Sequence, residues 1–382
     1  MPDTLLIIGG GALGSAVAAS LAERPGWRGR ITVLERDPGY ELASSARSAA
    51  SIRQQFSTPL NIALSLHGLE VLRAAGPQAG LVEQGYLYLI PPSGAAQQEA
   101  LNALQRRQGA DVALLNPAEL RRRFPWLATQ DLALGSWGRS GEGWFDGWGL
   151  LQSLKQRAQA AGVQYVKDEA LRLERDSQGQ VCGVQAASGG LLTADRFVLA
   201  CGAWSAKLAA TAGVALPVSA RRRSVYAFRT EEQAPGCPLI IDPSGLWFRP
   251  EGAGQFICGG PPFGEDAPDL PLDPEDYLFE ERLWPALAER VPGFASLRQA
   301  RSWAGYYEMN DIDHNGLVGP WPGQERLLMA CGFSGHGLQH APGIGRGLAE
   351  WIATGRYETL DLSPLGADRL QRGEPYRELN VI

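Results

Sequence analysis

The stretch Gly9-Gly10-Gly11-Ala12-Leu13-Gly14 (GGGALG) lies directly after the apolar run Thr4–Ile8. Small and aliphatic residues continue over Ala12–Leu21, and a second β-branched run, Ile31–Leu34, ends at Glu35. Short apolar runs bounded by glycine are typical of buried strands, and a longer small-residue stretch between them is typical of a packed helix. The pattern predicts a strand–helix–strand unit in a parallel sheet.

The glycines of this turn have the spacing G-x-G-x-x-G, which suits a bound dinucleotide. Gly9 can turn the chain out of the strand, Gly11 leaves room for a pyrophosphate, and Gly14 lets the helix pack closely. The helix N-terminus offers free amides and a positive dipole end to phosphates. Glu35 can accept hydrogen bonds from both hydroxyls of an adenosine ribose, and the motif alone does not separate FAD from NAD.

A second segment, Ser44–Arg53 (SSARSAASIR), is rich in small and hydroxyl-bearing residues. Small side chains let a flat ring approach the backbone, and the hydroxyl groups and Arg47 can serve phosphates or the ring edge. Arg53 can meet an anionic substrate. A polar loop that caps a helix explains the same local sequence equally well, so both interpretations stay open here.

A third segment, Cys331–Gly345 (CGFSGHGLQHAPGIG), follows an apolar strand and is dense in glycine. It predicts a turn that leads into a helix whose N-terminal amides can stabilise negative charge on a ligand. His336 and His340 lie four residues apart, as helical metal ligands do. However, Pro342 and the glycines argue against a regular helix there, and we predict no metal site.

The length, net charge and cysteine content of the chain limit the classes of protein to which it can belong. The chain has 382 residues, which predicts two or three domains, and a net charge of -6 argues against a nucleic-acid-binding protein. The five cysteines form no CxxC pair, so neither a disulfide framework nor a zinc site is indicated. We find no apolar run long enough to span a membrane and no secretion or transit signal, and we therefore expect the cytoplasm.

The order of the predicted elements indicates an α/β fold with two domains. A buried strand, Arg196–Ala200, leads into the turn Cys201–Ala203, and Arg222–Gly260 contains several strands with turns typical of an antiparallel sheet. We predict a discontinuous Rossmann-like FAD-binding domain with a substrate domain inserted on a mostly antiparallel sheet. The FAD-binding domain comprises residues 1–85, 146–220 and 300–382, and the substrate domain residues 86–145 and 221–299.

Taken together, these segments resemble the D-amino-acid oxidase superfamily, which includes monomeric sarcosine oxidase, glycine oxidase, dimethylglycine dehydrogenase and D-arginine dehydrogenase. The resemblance also includes Arg196–Trp204 (RFVLACGAW) and extends over nearly the whole chain. Within that superfamily, Ser302–Tyr307 (SWAGYY), Asn315–Pro320 (NGLVGP) and Asp361–Pro364 (DLSP) most resemble the mitochondrial FAD-dependent oxidoreductase domain-containing proteins implicated in complex I assembly.

The resemblance implies that FAD binds along all three segments and at several residues between them. The implied contacts are Gly9, Gly11, Ala12, Leu13, Gly14, Glu35, Arg36, Ser45, Arg47, Ser48, Ala170, Gly202, Trp204, Gly305, Gly332, Ser334, Gly335, His336, Gly337, Leu338 and Gln339.

The sequence departs from its relatives at three points. Some relatives tether the flavin through a Cys or a His, but the matching positions here are near Tyr306 and at Ala49-Ala50, so we predict non-covalent FAD. The lysine that sarcosine oxidase uses for oxygen activation matches Gln339, which favours a dehydrogenase over an oxidase. An arginine that binds the substrate carboxylate in glycine oxidase matches Tyr306 and Tyr307, which leaves Arg53 as the candidate.

We therefore predict an enzyme that oxidises the C–N bond of a small amine or amino acid, N-alkylated or of D configuration, by hydride transfer to flavin N5. The catalytic candidates are Arg53, Tyr306, Tyr307, His336 and Gln339. The two tyrosines and His336 can position the substrate or relay a proton, and plain packing explains them equally well.

Other interpretations of the sequence remain open at this stage. Trp247 and Arg249 can line the substrate pocket, although an ordinary strand face explains them better. The electron acceptor can be oxygen, a quinone or a protein. Two other functions are a flavin-containing assembly or interaction factor with little turnover and an NAD-dependent dehydrogenase.

Overall fold

The computed structural model of the protein describes residues 3–264 and 266–380. The strands are β1 (Thr4–Ile8), β2 (Arg30–Glu35), β3 (Ser51–Ile52), β4 (Tyr86–Ile90), β5 (Val112–Leu115), β6 (Leu134–Gly138), β7 (Gly143–Trp144), β8 (Gln164–Lys167), β9 (Ala170–Arg175), β10 (Val181–Ala186), β11 (Leu191–Thr193), β12 (Arg196–Leu199), β13 (Val218–Arg229), β14 (Leu239–Ile241), β15 (Trp247–Pro250), β16 (Gln255–Gly259), β17 (Arg298–Asn310), β18 (Leu317–Trp321) and β19 (Gln324–Cys331). The α-helices are α1 (Ala12–Ala22), α2 (Ser44–Arg47), α3 (Pro59–Ala75), α4 (Ala95–Arg107), α5 (Pro117–Arg123), α6 (Gly147–Ala160), α7 (Ser205–Ala210), α8 (Trp284–Arg290), α9 (Gly337–Thr354) and α10 (Asp368–Arg372).

A six-stranded sheet with the order β18-β19-β12-β1-β2-β8 forms the first layer of the fold. Its pairs are parallel except at the edge, where β18 runs antiparallel to β19. The strand–helix–strand unit predicted around the first glycine turn is confirmed, because β1 and β2 pair in parallel and α1 connects them. Cofactor sites in such sheets lie at the carboxyl ends of the parallel strands.

An eight-stranded sheet with the order β17-β13-β16-β15-β14-β4-β6-β5 forms the second large unit. Its pairs are antiparallel, apart from the parallel pair of β4 and β14. The strands β13 and β17 pair from Val218 opposite Asn310 to Arg229 opposite Arg298. Both strands cross a predicted domain boundary, at 220–221 and at 299–300, and the domain limits themselves remain predictions.

The helices α1 and α9 come from opposite ends of the chain and pack tightly in the main core. A Cβ on Gly345 would lie 2.5 Å from the carbonyl carbon of Ala16, and a Cβ on Gly14 would lie 1.9 Å from the carbonyl oxygen of Gly9. Distances this short exclude any side chain. Glycine therefore permits both the contact between the helices and the contact of α1 with its own turn.

Two predicted elements differ from the structure. Pro342 lies inside α9, so the expectation that no regular helix forms there was wrong. A proline this near the N-terminus removes only the N–H that would bond the Leu338 carbonyl, and the rest of the 18-residue helix continues. The sequence of Glu275–Arg290 predicts a single helix, but the helical segment begins only at Phe279, with a π-helical turn, because Tyr277 has a φ of +62°. No helix within the described ranges is long and apolar enough to cross a bilayer.

The contact between α1 and α9 gives a first testable expectation. Gly345→Ala adds a methyl group against the backbone of Ala16, and we expect it to destabilise the protein by about 1–3 kcal/mol and to lower the bound flavin content. Gly343→Ala is the matched control, because the closest atom to its methyl group is a terminal side-chain carbon of Leu64 at 2.6 Å, rather than backbone. Thermal unfolding and the ratio of flavin to protein measure both effects, and equal stability of the two variants would contradict the expectation.

Candidate functional site

A cavity of about 1190 Å³ opens where the carboxyl ends of β1, β2 and β12 meet the N-termini of α1 and α9. It exceeds the roughly 300–1,000 Å³ that is usual for one small ligand, so it has room for a dinucleotide together with a small substrate. The predicted site residues that line it are Gly9, Gly11, Ala12, Leu13, Glu35, Arg36, Ser45, Arg47, Ser48, Arg53, Ala170, Gly202, Trp204, Gly305, Tyr306, Tyr307, Ser334, Gly335, His336, Gly337, Leu338 and Gln339.

Gly14 and Gly332 are the predicted cofactor contacts that do not line the cavity. Gly14 lies one helical turn behind the wall, where the absence of a side chain lets α1 approach its turn. Gly332 has a φ of +80° and donates its N–H to Oε2 of Glu308 at 3.0 Å. Both glycines therefore shape the wall rather than form its surface.

The first glycine turn has the geometry of a dinucleotide cradle. Gly9 has a φ of +98°, and a Cβ there would lie 2.3 Å from the Ala200 carbonyl oxygen. The two carboxylate oxygens of Glu35 accept the N–H groups of Gly10 and Asp37, each at 2.8 Å. Each oxygen has a further lone pair, so Glu35 is held in place and can still accept ribose hydroxyl groups. These residues fit FAD.

The second segment is fastened to the eight-stranded sheet at this cavity. Arg47 donates to the Ala304 carbonyl at 2.8 Å and to the Glu41 carbonyl, and its own carbonyl accepts the Trp303 indole N–H at 2.9 Å. A Cβ on Gly305 would lie 3.1 Å from the Cβ of Arg47. Arg47 therefore uses two of its five N–H donors to hold this loop, and the others remain for phosphate groups.

The cavity wall next to Glu35 has a cation stacked on an aromatic ring. The Arg36 guanidinium lies 4.1 Å from the centre of the Trp204 ring, and Tyr306 packs edge-on against the same ring. The Tyr306 hydroxyl donates to the Leu270 carbonyl at 2.5 Å. Since its hydroxyl already has an acceptor, Tyr306 is suited to packing and loop attachment more than to proton relay.

The glycine-rich turn before α9 lies at the cavity wall. His336 belongs to this turn, and Tyr307 packs against it from β17. A Cβ on Gly335 would lie 2.4 Å from the Tyr307 ring, which therefore rests directly on the turn. Burial, together with the nearby charges of Arg53 and His314, lowers the pKa of His336 to about 3. The imidazole is neutral near pH 7, and its Nε2 lies 3.3 Å from the Asn315 side-chain oxygen.

Arg53 is buried, with 3% of its surface exposed, yet it lines the cavity. Its guanidinium donates to the carbonyl of Gln55 at 2.8 Å and to that of Asn380, and it stacks 3.9 Å from the Phe56 ring centre. Within residues 3–264 and 266–380, no carboxylate oxygen lies within 4.0 Å of it. A buried cation that faces a cavity without an ion pair favours an anionic ligand.

The neutral side chain of Gln339 is fixed beside Arg53. Its Oε1 accepts the Arg53 backbone N–H at 3.1 Å and the Ser65 hydroxyl at 3.0 Å. Both hydrogen bonds use the oxygen, which leaves the Nε2 donor for a ligand in the cavity. Gln339 supplies a directed hydrogen bond at this position, and no positive charge.

Sequence reasoning missed several residues of the cavity wall. Glu308, Arg223, Leu379 and Asn380 all line it. A charged residue within the apolar end of β17 was an available signal for Glu308, whereas Leu379 and Asn380 return from the far end of the chain without a motif. Trp247 lines the cavity as one interpretation allowed, but Arg249 lies outside it and donates to the Ala49 carbonyl at 2.9 Å.

Two buried carboxyl groups have raised pKa values. Burial raises the pKa of Glu308 to about 7, although the N–H groups of Gly332 and Phe333 oppose the shift. Burial also raises the pKa of Glu142 to about 7, against hydrogen bonds from Gln54 and Gln55. In the part of the chain that the structure describes, no three potential metal ligands lie together.

The raised pKa of Glu308 predicts a pH-dependent contribution to stability. An acid with a raised folded-state pKa stabilises the fold below its unfolded pKa and loses that contribution as the pH rises through about 7. We therefore expect Glu308→Gln to match the wild type near pH 5 and to exceed it by as much as about 3 kcal/mol near pH 8 in urea unfolding with excess FAD.

Glu350 is the control of opposite sign. Burial alone would raise the pKa of Glu350, but the Thr359 hydroxyl and two backbone N–H groups lower it. Its stabilising contribution is therefore present above the unfolded pKa and is lost as the pH falls. Glu350→Gln should be less stable than the wild type near pH 8, and a stability change of the same sign in both variants would contradict the opposite pKa shifts of the two carboxyl groups.

Comparisons with known proteins agree with this architecture. The model of the family described as FAD dependent oxidoreductase (DAO) matches residues 4–351. FAD-dependent oxidoreductase domain-containing protein 1 of Bos taurus is 39% identical and covers 99% of this chain and 87% of that protein. Glycine oxidase of Geobacillus kaustophilus is 27% identical over 95% of this chain and 96% of that protein.

Among solved structures, L-proline dehydrogenase from P. horikoshii superposes with a TM-score of 0.87 at 24% sequence identity, covering 98% of this chain and 100% of that one. At that identity the likeness establishes the fold. The match of the family model over most of the chain establishes more: the protein belongs to the DAO family of FAD-dependent oxidoreductases.

Proposed function

We propose that the protein oxidises the C–N bond of a small amino acid, N-alkylated or of D configuration, by transfer of a hydride from the carbon to FAD. The observation that carries this proposal is the buried guanidinium of Arg53, which faces the cavity without a carboxylate partner among the described residues. Membership of an FAD-dependent family favours FAD over NAD, and FAD when bound supplies the two-electron acceptor.

The surroundings of Arg53 keep it charged. Burial alone would lower its pKa, but Tyr88, Tyr86, Glu378 and Glu142 together raise it. Two of the five N–H donors of a guanidinium are needed for the Gln55 and Asn380 carbonyls, and the others remain for a substrate carboxylate. The substrate would thus bind through a charge-assisted hydrogen bond in a fixed orientation.

The C-terminal segment holds this arginine in place. Glu378 is fully buried and accepts the N–H of Ser57 at 2.8 Å and the side-chain N–H of Asn61 at 2.9 Å. The neighbouring Asn380 donates its side-chain amide to the Gln55 carbonyl at 2.9 Å. The segment therefore contributes the Asn380 carbonyl that binds Arg53 and anchors its own backbone through Glu378.

The walls around this position are aromatic and aliphatic. Tyr86 and Tyr88 stack with their ring centres 5.4 Å apart, and Trp247 and Ile241 complete an apolar surface. Such a site excludes water from the carbon–hydrogen bond that breaks. The neutral His336 ring offers no strong base, which supports a substrate that reacts as the free amine after loss of its ammonium proton.

A dehydrogenase rather than an oxidase is supported by Gln339. Oxygen must acquire negative charge as it is reduced, and a fixed cation near the flavin would stabilise that charge. Gln339 is neutral, and the neighbouring Arg53 cation is engaged by the substrate carboxylate in this proposal, so neither residue leaves a free positive charge for oxygen. The electron acceptor is therefore more consistent with a quinone or a protein than with oxygen.

The decisive test of this proposal is an anaerobic screen in which N-alkyl and D-amino acids are mixed with the flavin-loaded protein. Loss of the flavin absorbance with at least one of them, followed by slow reoxidation in air, is the expected result. If every compound leaves the absorbance unchanged, the rival function of a flavin-containing assembly or interaction factor is favoured.

Arg53 gives a sharper prediction for any substrate that the screen identifies. Arg53→Gln should raise the KM for an amino acid by about 10- to 100-fold, because charge-assisted hydrogen bonds are each worth roughly 1.5–3 kcal/mol. The methyl ester of the same amino acid has no carboxylate charge and is the matched control. An equal rise in KM for the acid and the ester would show that Arg53 does not bind the carboxylate.

We also propose that FAD is held without a covalent bond. Tyr306 lies at one of the positions that carry a tether in relatives, and its hydroxyl is engaged by Leu270. Cys201 is a cavity-lining thiol, but burial raises its pKa to about 12, which leaves almost no thiolate to attack a flavin. Acid precipitation should therefore release all the flavin into the supernatant, and a yellow pellet would contradict this prediction.

A further inference from the structure

We propose that the preferred substrate carries two carboxylates, the first bound by Arg53 and the second by Arg223. This inference deepens the proposed function and rests on it for the position of the first carboxylate. It follows from a second arginine at the same cavity, whose present partner is a carboxylate of the protein itself.

Arg223 lies on β13 and its side chain is 19% exposed at the cavity wall. Its two terminal nitrogens donate to the two carboxylate oxygens of Asp266 at 2.8 and 2.9 Å. This two-point geometry is the one in which a guanidinium binds the carboxylate of a ligand. Asp266 also lines the cavity, so it occupies the place that a substrate carboxylate would take.

Tyr307 lines the same cavity as both arginines. The Arg223 guanidinium lies 5.4 Å from the centre of the Tyr307 ring. Burial raises the pKa of Tyr307, while Arg223 and Arg53 both act to lower it, which means that both charges lie near the same phenol. Arg53 lines the same cavity, so a substrate bound there can meet both cations.

Asp266 belongs to the covering segment, which comprises residues 260–264 and 266–278 and joins β16 to the helical turn at Phe279. The segment is fastened over the cavity mouth at other points, through the Tyr306 hydroxyl on the Leu270 carbonyl and through Lys207, 3.0 Å from Asp269. Loss of the Asp266 contact would therefore leave the segment attached. Burial alone would raise the pKa of Asp266, but Arg223 lowers it. The Asp266 carboxylate is therefore ionised and competes with a substrate carboxylate for Arg223.

The oxidation itself is unchanged by the second carboxylate. The carbon next to nitrogen loses a hydride, the nitrogen loses a proton, and the C–N single bond becomes a C=N bond as two electrons pass to FAD. The second carboxylate only fixes the substrate at a second point. Two chemical sources fit this pattern: imino diacids, with a carboxylate on each side of the nitrogen, and N-alkyl or D-amino dicarboxylic acids.

The alternative is that Asp266 and Arg223 only fasten the covering segment. The two explanations predict opposite effects of Asp266→Asn. If Asp266 competes with the substrate, its neutralisation frees Arg223 and strengthens the binding of dicarboxylates. If the pair is only a fastener, its loss weakens binding or leaves the preference for dicarboxylates as it was.

The first experiment uses unreactive ligands and the flavin-loaded protein. Glutarate and succinate are titrated against butyrate, and binding is read from the change in the flavin absorbance spectrum. We expect Asp266→Asn to increase the ratio of dicarboxylate to monocarboxylate affinity by about 10-fold and Arg223→Gln to lower it by a similar factor. Arg222→Gln is the matched control, since Arg222 contacts the carbonyls of Pro271 and Asp273 outside the cavity and should leave the ratio at the wild-type value.

The second experiment repeats the comparison with turnover, using a dye as electron acceptor. Iminodiacetate represents the imino diacids, N-methylglutamate the amino dicarboxylic acids, and N-methylglutamine is the matched neutral form of the latter. A higher kcat/KM for either diacid, increased by Asp266→Asn, supports the inference and identifies the source. A ratio that Asp266→Asn leaves unchanged or lowers overturns it, even if Arg223→Gln does not fold.

The two proposals fail in different ways. If no amine reduces the flavin while glutarate binding still responds to Asp266→Asn as expected, the oxidation of amines is wrong and the dicarboxylate site stands. If monocarboxylic amino acids reduce the flavin but the ligand ratios do not respond, the proposed function stands and the dicarboxylate site is wrong.

Discussion

The close contact of α1 with α9 is the constraint on which the cavity depends. Because Gly345 has no side chain, the backbone of α9 can approach Ala16 more closely than any other residue would permit. Each helix begins at the cavity, at Ala12 and at Gly337, so their contact brings two positive helix ends to one place. The pyrophosphate and the electron-accepting ring of a dinucleotide can each interact with one of these positive helix ends.

The cavity also depends on buried charged groups and on the partners that each of them has. Arg53 has no carboxylate oxygen within 4.0 Å among the described residues, which leaves its free donors for a ligand. Arg223 is paired, but with a carboxylate on a segment that other contacts also hold. Arg53 can thus bind an anionic ligand directly, while Arg223 must first release Asp266. Glu308 adds a carboxyl group that burial brings close to its neutral form.

Features governed by local sterics could be predicted from the sequence. The turn at Gly9, the acid at Glu35 and the glycine-rich turn before α9 each follow from short-range requirements, and all reach the cavity. The interruption expected at Pro342 was wrong, because tertiary packing along an 18-residue helix outweighs one lost hydrogen bond. Local propensity is a weaker constraint than burial of a long apolar face.

Features that depend on distant pairing could not be predicted. Asn380 meets Arg53 across more than three hundred residues, and Asp266 meets Arg223 only because the covering segment folds back over β13. No spacing rule links such positions, since the contact is set by the path of the chain through both sheets. The resemblance supplied the cofactor residues and Arg53, whereas Arg223 and Asp266 came from the three-dimensional arrangement.

The location of Gly345 has a consequence for biosynthesis. A nascent chain that has emerged from the ribosome only as far as β16 already carries the first phosphate-binding turn but lacks the helix that packs against it. FAD can therefore meet both helix N-termini only after translation has passed α9. The holoprotein therefore cannot assemble while only the N-terminal strand–helix–strand unit has been synthesised.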